Sequence, residues 1–131
     1  MNAEQAIKQN ILIKANEMEE FEGGLPEITE ENVDAIYDEL LVDMNQHWDC
    51  ESEFRDSGEE TDIESDYCRH YESKSVAFKL RSGKWVGWTY WYGGGKYGNP
   101  EEIDWMDEAY FLDIKEEEKV VTVRTFTKRG D

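Results

Sequence analysis

Hydrophobic residues in the first half of the chain recur every three or four positions, the period of a helix with one buried face. The first run extends from about Ala3 to Glu20 and is followed by glycines at 23 and 24 and a proline at 26. A second run begins at the N-cap residue Thr29 and continues through at least Trp48. Its apolar positions are Val33, Ile36, Tyr37, Leu40, Leu41, Met44 and Trp48, with Phe54 as a further candidate. We therefore predict two amphipathic helices before residue 57.

The second half of the chain alternates polar and apolar residues in the manner of β-strands. The alternation predicts strands at 71–80, 85–92, 110–115 and 120–128, with a turn at 81–84. Asn99 and Pro100, followed by two glutamates, predict a short helix through Trp105 to about Glu108. The predicted fold class is α+β, an antiparallel sheet of about four strands packed against N-terminal helices. The length of 131 residues suits a single domain, residues 1–131.

Charge divides the chain near the same place as the hydrophobic pattern. Residues 1–66 carry 21 acids and three bases, whereas residues 67–131 carry 11 of each. The formal net charge of −18 disfavours direct binding to nucleic-acid phosphates or to an anionic membrane. An aromatic content of 13% distinguishes the chain from acidic sequences that stay disordered. We expect an acidic helical half, about 1–66, and an aromatic-rich β half, about 67–131.

The densest acidic stretch, from Asp49 to Asp66, holds nine acids and one base. In an extended segment, carboxylates two residues apart are separated by about 6.6 Å, comparable in order to phosphates along one DNA strand. Such a surface can imitate DNA and occupy the basic groove of a nuclease or another nucleic-acid-binding protein. The alternative is a solvated loop at 57–66 that confers only solubility. The predicted partner-binding residues are Asp34, Asp38, Asp43, Glu53, Glu59, Glu60, Asp62, Glu64 and Asp66.

Two histidines and two cysteines offer a different kind of site. His47 and Cys50 are three residues apart in a predicted helix, and Cys68 and His70 are two apart before a predicted strand, so each pair can share a face. Two nitrogen and two sulfur ligands suit zinc, although the spacing matches no common zinc motif. The alternative assigns these side chains to packing and local hydrogen bonds. We predict no metal or other cofactor and keep the four residues as candidates only.

A glycine-rich loop at 93–98 precedes the predicted short helix, and its backbone amides and Lys96 could receive a phosphate. The spacing is not that of a phosphate-binding loop, and Glu101 and Glu102 would repel an anion, so a connecting loop is favoured. The sequence contains no nucleophile in a recognisable catalytic context, which predicts a protein that is not an enzyme. It also lacks a signal peptide or membrane span, which predicts a cytoplasmic protein with two free thiols.

The second half also contains three long and unusual strings. They are Arg69-His-Tyr-Glu-Ser-Lys-Ser-Val-Ala77, Trp85-Val-Gly-Trp-Thr-Tyr-Trp-Tyr-Gly-Gly-Gly-Lys96 with Asn99-Pro-Glu-Glu-Ile-Asp-Trp-Met106, and Val120-Val-Thr-Val-Arg-Thr-Phe126. With these strings the chain resembles a group of small acidic proteins encoded by bacteriophages and prophages, from about Ile36 to Lys128. The resemblance implies a phage setting and carries no activity or site residues with it.

In such a setting we expect a non-enzymatic inhibitor that occludes a basic, nucleic-acid-binding surface of a host protein, such as a defence nuclease, in the host cytoplasm. Two alternatives stay open. One is a small ligand- or zinc-binding domain that uses the 93–98 loop or the histidine and cysteine set. The other is a structural protein that self-associates through exposed aromatic residues. The oligomeric state is not determined by the sequence.

Overall fold

The structure, a computed structural model, describes residues 1–130, with residue 97 described by its backbone alone. The helices are α1 (Ala3–Met18), α2 (Val33–Tyr37), continued by a π-helical segment (Asp38–Val42), and α3 (His47–Arg55). The strands are β1 (Glu59–Glu60), β2 (Glu72–Lys79), β3 (Trp85–Tyr92) and β4 (Tyr110–Leu112). They form one antiparallel sheet in the order β1-β2-β3-β4. The fold is α+β, as predicted from the sequence.

The first helix, α1, begins with a capping box that satisfies its free amides. The Asn2 side chain accepts a hydrogen bond from the Gln5 amide at 2.8 Å, and the Gln5 side chain accepts one from the Asn2 amide at 3.0 Å. The helix ends at Met18, two residues before the predicted end. Its buried residues are Ala3, Ala6, Ile7, Asn10, Ile11 and Leu12. The helical period of this segment is therefore confirmed.

The prediction of one continuous second helix is wrong. Helix α2 begins at Val33, four residues after the predicted N-cap Thr29, and the chain then widens into a π-helix. Asn45 has a φ of 55°, a left-handed conformation that asparagine tolerates and that ends the helical path. A new helix, α3, starts only at His47. Three short helical segments thus replace one long helix.

This break changes which side chains are buried. Met44 and Trp48, both predicted to face the core, are 64% and 56% exposed. Phe54, seven residues after the start of α3, is 6% exposed. Because the 3.6-residue period is interrupted near residue 45, positions on the two sides of the break no longer share a face.

Strands β2 and β3 form the predicted hairpin, and all eight residues of each strand are paired. The turn at 81–84 closes where the Gly83 amide donates to the Leu80 carbonyl at 2.9 Å. Gly83 has a φ of 94°, which explains the glycine at this position. The alternating pattern therefore located both central strands.

Predictions outside this hairpin need correction. The strand expected at 110–115 is limited to the three residues of β4, and the expected helix at 99–108 is one 3₁₀ turn at Pro100–Glu102. The strand expected at 120–128 does not form within the described residues, and this segment is exposed. Its connection to β4, residues 113–119, contains three consecutive glutamates, which do not favour a tight turn. The fourth strand is instead β1, which lies in the segment expected to be a solvated loop.

Aromatic rings fill the space between the helices and the sheet. The Phe54 ring lies 4.8 Å from Phe78, 5.1 Å from Trp88 and 6.1 Å from Trp105, measured between centroids. Trp88 is fully buried, and the same cluster contains the buried face of α1 and residues from β2 and β3. Phe54 therefore packs helix α3 against the sheet.

Candidate acidic binding surface

Residues 59–66, which we call the acidic edge segment, run beside the outer strand of the β2–β3 hairpin. The segment begins with β1, in which Glu59 pairs with Ala77 and Glu60 with Val76. Thr61 continues this pairing, because its amide and its hydroxyl both donate to the Ser75 carbonyl, at 2.9 and 3.1 Å. The first half of the segment is therefore part of the sheet.

Serine hydroxyls hold the second half of the acidic edge segment. The Ser75 hydroxyl donates to the Glu64 carbonyl at 3.3 Å, and the Ser65 hydroxyl donates to the Ser73 carbonyl at 3.2 Å. The Ser73 hydroxyl donates to the Asp66 carbonyl. The acidic side chains make none of these bonds, since the contacts use backbone carbonyls and hydroxyls. Sequence reasoning missed these anchoring residues, although serines at alternate positions of the neighbouring strand were a signal for them.

The result is a row of carboxylates that point away from a fixed backbone. Glu59, Glu60, Asp62, Glu64 and Asp66 are all exposed, whereas Thr61 and Ser65 between them are half-buried. The backbone bends at residues 62 and 63, so the regular 6.6 Å repeat of a straight strand does not continue through the segment. The carboxylates at alternate positions, Glu60, Asp62, Glu64 and Asp66, therefore follow a bent line and not the straight row of an extended strand.

Two of the predicted partner-binding carboxylates already have partners within the chain. Asp34 accepts from the Lys8 ammonium at 2.9 Å, and Glu53 forms an ion pair with Lys14. The hydrogen bond from Lys8 holds the pKa of Asp34 below its usual value despite the opposing effect of partial burial. Both lysines lie on α1, so Asp34 and Glu53 fasten neighbouring helical segments to that helix. These two residues therefore have a structural role besides any role in binding.

Asp38 and Asp43 are exposed and lie at the start and just after the end of the π-helical segment. Asp38 lines a groove of about 380 Å³ between α1, the π-helical segment, α3 and residues 101–107. In this groove the Tyr37 hydroxyl donates to Glu51 at 2.5 Å. Burial, and then the contact with Glu51, raises the pKa of Tyr37 far above its usual value. The nine predicted carboxylates are thus divided between the edge segment, the α1 ion pairs and this helical surface.

Arg55 is the single base of the 49–66 stretch, and its charge is turned inward. Its side chain is 7% exposed, and its guanidinium carbon lies 4.2 Å from the centroid of the Tyr90 ring. The guanidinium donates to the Trp91 carbonyl and lies 3.2 Å from the Asp56 carboxylate. Because Arg55 connects α3 to β3 in this way, it does not project among the exposed carboxylates of the edge segment.

The histidine and cysteine set is not assembled into a metal site. His47 lines the groove beside residues 101–107, whereas Cys50 lines a separate cavity of about 110 Å³ between α1 and α3. Cys68 and His70 lie together on the segment that precedes β2. Residues 1–130 contain no group of three or more histidine, cysteine, aspartate or glutamate side chains placed to hold a metal ion. The zinc alternative therefore has no assembled ligand set here.

The glycine-rich loop at 93–98 has the geometry of a connecting loop. Gly94 has a φ of 89°, and a Cβ at this position would lie 2.4 Å from the ring of Tyr71. The loop thus turns in a left-handed conformation and passes directly beside an aromatic ring, as predicted. The two 3₁₀ turns, Gly95–Tyr97 within the loop and Pro100–Glu102 after it, are three residues each and offer no N-terminal site for an anion.

Comparison with known proteins adds no relative to this picture. The chain matches no protein-family model, no curated protein and no solved structure. In the part of the chain that the structure covers, no helix combines the length and the apolar composition needed to cross a membrane. Function must therefore be argued from the surface itself.

Proposed function

We propose that this protein is a non-enzymatic inhibitor that occludes a basic, nucleic-acid-binding surface of a host protein by imitating DNA. The observation that supports the proposal most is the acidic edge segment, in which five exposed carboxylates project from a backbone held to β2. A segment whose backbone is already held to the sheet loses less conformational entropy on binding than a mobile loop does. The phage setting implied by the resemblance fits a target such as a defence nuclease in the host cytoplasm.

The charge distribution supports a basic partner over nucleic acid or a membrane. The net charge of −18 would repel phosphates, and it would steer a positively charged surface toward the protein at low salt. The one base within the 49–66 stretch, Arg55, is buried and does not offset the exposed carboxylates. Association should therefore be fast at low ionic strength and should weaken as salt screens the interaction.

The first experiment uses the full-length protein as bait in a host lysate, with elution by increasing salt and identification of the eluted proteins. The identified target is then purified and titrated with labelled DNA in the presence of the bait. We expect the bait to displace DNA from the target with an apparent affinity that falls steeply with salt. A target that binds the bait and DNA together, without competition, would contradict the proposal.

Paired charge-neutral variants locate the contact. Glu60→Gln combined with Asp62→Asn removes two carboxylates of the edge segment and leaves its backbone anchors in place. At 0.2–1 kcal/mol for each exposed charge pair, binding should weaken about 2- to 30-fold. Glu19→Gln combined with Glu20→Gln removes the same charge from exposed positions at the end of α1 and should change the affinity less. Equal losses for the two variants would show that net charge, and not the edge segment, governs binding.

A further inference from the structure

The residues after β4 combine the sequence pattern of a strand with full exposure of its apolar side chains. Residues 113–130 belong to no helix or strand. Val120, Val121, Val123 and Phe126 are 102%, 76%, 84% and 87% exposed, respectively. Valine, threonine and phenylalanine are favoured in strands, because they pack well on a pleated surface. We call residues 120–126 the tail strand segment.

The sheet offers an open edge next to the start of this tail. Strand β3 has eight residues, but β4 pairs with only three of them, Trp85 to Gly87. Strand β4 is last in the sheet order, so its outer backbone groups have no neighbouring strand within the described sheet. Phe111 on β4 and Ile114 just after it are 42% and 50% exposed. An exposed edge with apolar side chains is a template for an added strand.

The chain does not place its own tail on this edge. A return to β4 requires a reversal within residues 113–119, which include three consecutive glutamates at 116–118. Glutamate is not a turn-forming residue, and three adjacent like charges repel each other when the chain is brought into a tight turn. In the structure the tail strand segment accordingly lies outside the four-stranded sheet.

The basic tail complements an acidic acceptor, and a second copy of the same protein is one. Residues 119–131 contain four bases and one acid, whereas residues 1–66 carry a net charge of −18. Two copies repel each other through their acidic halves, and a basic tail that reaches the other copy offsets part of this repulsion. The tail is thus opposite in charge to the body of the protein that offers the open edge.

We propose that the tail strand segment of one copy adds as an antiparallel strand to β4 of a second copy. Backbone hydrogen bonds from the β4 edge would supply the affinity, and the valines and Phe126 would cover apolar side chains such as Phe111. If each copy donates its tail to the other, the exchange is reciprocal and closes as a two-fold dimer. The association uses a different part of the molecule from the acidic edge segment.

The test compares the full-length protein with two proline variants by light scattering or native mass spectrometry over a range of concentrations. Val123→Pro removes an amide from the middle of the segment and should weaken dimerisation at least tenfold. Thr127→Pro makes the same change just outside the segment and leaves Phe126 extended, so it serves as the matched control. The unchanged protein and the control should both approach twice the chain mass of 15.4 kDa.

Hydrogen exchange at residues 120–126 distinguishes the other outcomes. We expect protection of these amides that increases with protein concentration and is lost in Val123→Pro. A monomer with concentration-independent protection would show that the tail returns to its own β4, and this would overturn the proposal. A monomer without protection, or a dimer that Val123→Pro does not weaken, would also overturn it. Because these variants keep every carboxylate of the edge segment, their result is separate from the test of DNA mimicry.

Discussion

Gly58 lies directly before β1 and is packed so closely that a methyl group should destabilise the fold. A Cβ at this position would lie 2.7 Å from Val76 Cγ2, 2.8 Å from Val76 Cβ and 2.9 Å from Trp88 Cζ2. All three distances are shorter than real Cβ contacts, and Val76 and Trp88 are 1% and 0% exposed. The Val76 Cβ is attached to the backbone of β2, so it cannot move without moving the strand.

Two effects of Gly58→Ala oppose each other. Overpacking a core costs about 1–3 kcal/mol, whereas replacing glycine with alanine restricts the unfolded chain and stabilises by about 0.4–1 kcal/mol. The steric cost is larger because both neighbours are fully packed. We expect a net loss of about 1–2 kcal/mol, which corresponds to a Tm lower by about 3–12 °C for a chain of this size.

Thermal unfolding followed by circular dichroism measures this change. Gly130→Ala is the matched control, since no atom lies within 4 Å of a Cβ at that position, and its Tm should stay within about 2 °C of the original. Hydrogen exchange at residues 59–66 should also increase in Gly58→Ala, because the clash pushes β1 away from β2. A Tm equal to or above that of the unchanged protein would refute the reasoning, since it would mean that the core around Val76 can adjust.

Three further predictions concern ionisable and reactive groups. Arg55→Lys keeps the charge but removes the planar guanidinium that donates to the Trp91 carbonyl and stacks on the Tyr90 ring. Urea unfolding should therefore show a free energy of unfolding that is lower by about 1.5–3 kcal/mol. An unchanged urea midpoint would contradict this expectation. Lys8 lowers the pKa of Asp34 in the folded protein. The ion pair therefore stabilises the fold above the pKa that Asp34 has in the unfolded chain, and this stabilisation is lost as the pH falls through the pKa of the folded protein. Asp34→Asn should accordingly reduce the free energy of unfolding by about 0.2–1 kcal/mol near pH 7 and should have no effect in strong acid. Burial, and then nearby carboxylates, raises the pKa of the Cys50 thiol, so its alkylation at pH 8, followed by mass spectrometry, should be slower in the folded protein than in urea.

Local patterns in the sequence were sufficient for the elements whose side chains face one core. The helical period of α1 and the alternation of β2 and β3 survive in the structure because each element contributes one face to the same buried cluster, through Ile7 and Ile11, Val76, and Val86 and Trp88. The turn at 81–84 was also predictable, since Gly83 adopts a conformation that few other residues accept. For these elements, local preference and tertiary packing agree.

The helix break and the edge strands were not predictable in this way. The pattern through residues 33–48 is continuous, yet the chain turns at Asn45, and Phe54 beyond this turn packs against Trp88 of the sheet. The valine-rich segment at 120–126 has the stronger strand pattern, yet the sheet edge is occupied by two glutamates of β1. Which segment pairs with the edge of the sheet depends on where the connecting loops place that segment, and the local residue pattern does not contain this information.

The candidate binding surface shows the same division. Composition alone placed the negative charge in the first half of the chain and concentrated it between residues 49 and 66, because charge is a property of the residues themselves. Contacts between residues that are far apart in the sequence then decide which of these carboxylates form ion pairs within the chain and which stay exposed. Asp34 and Glu53 pair with lysines of α1, and the edge segment is tied to β2 through Ser73 and Ser75. Which acids are exposed together on a backbone held to the sheet therefore follows from long-range hydrogen bonds and packing, which depend on the folded arrangement of the whole chain.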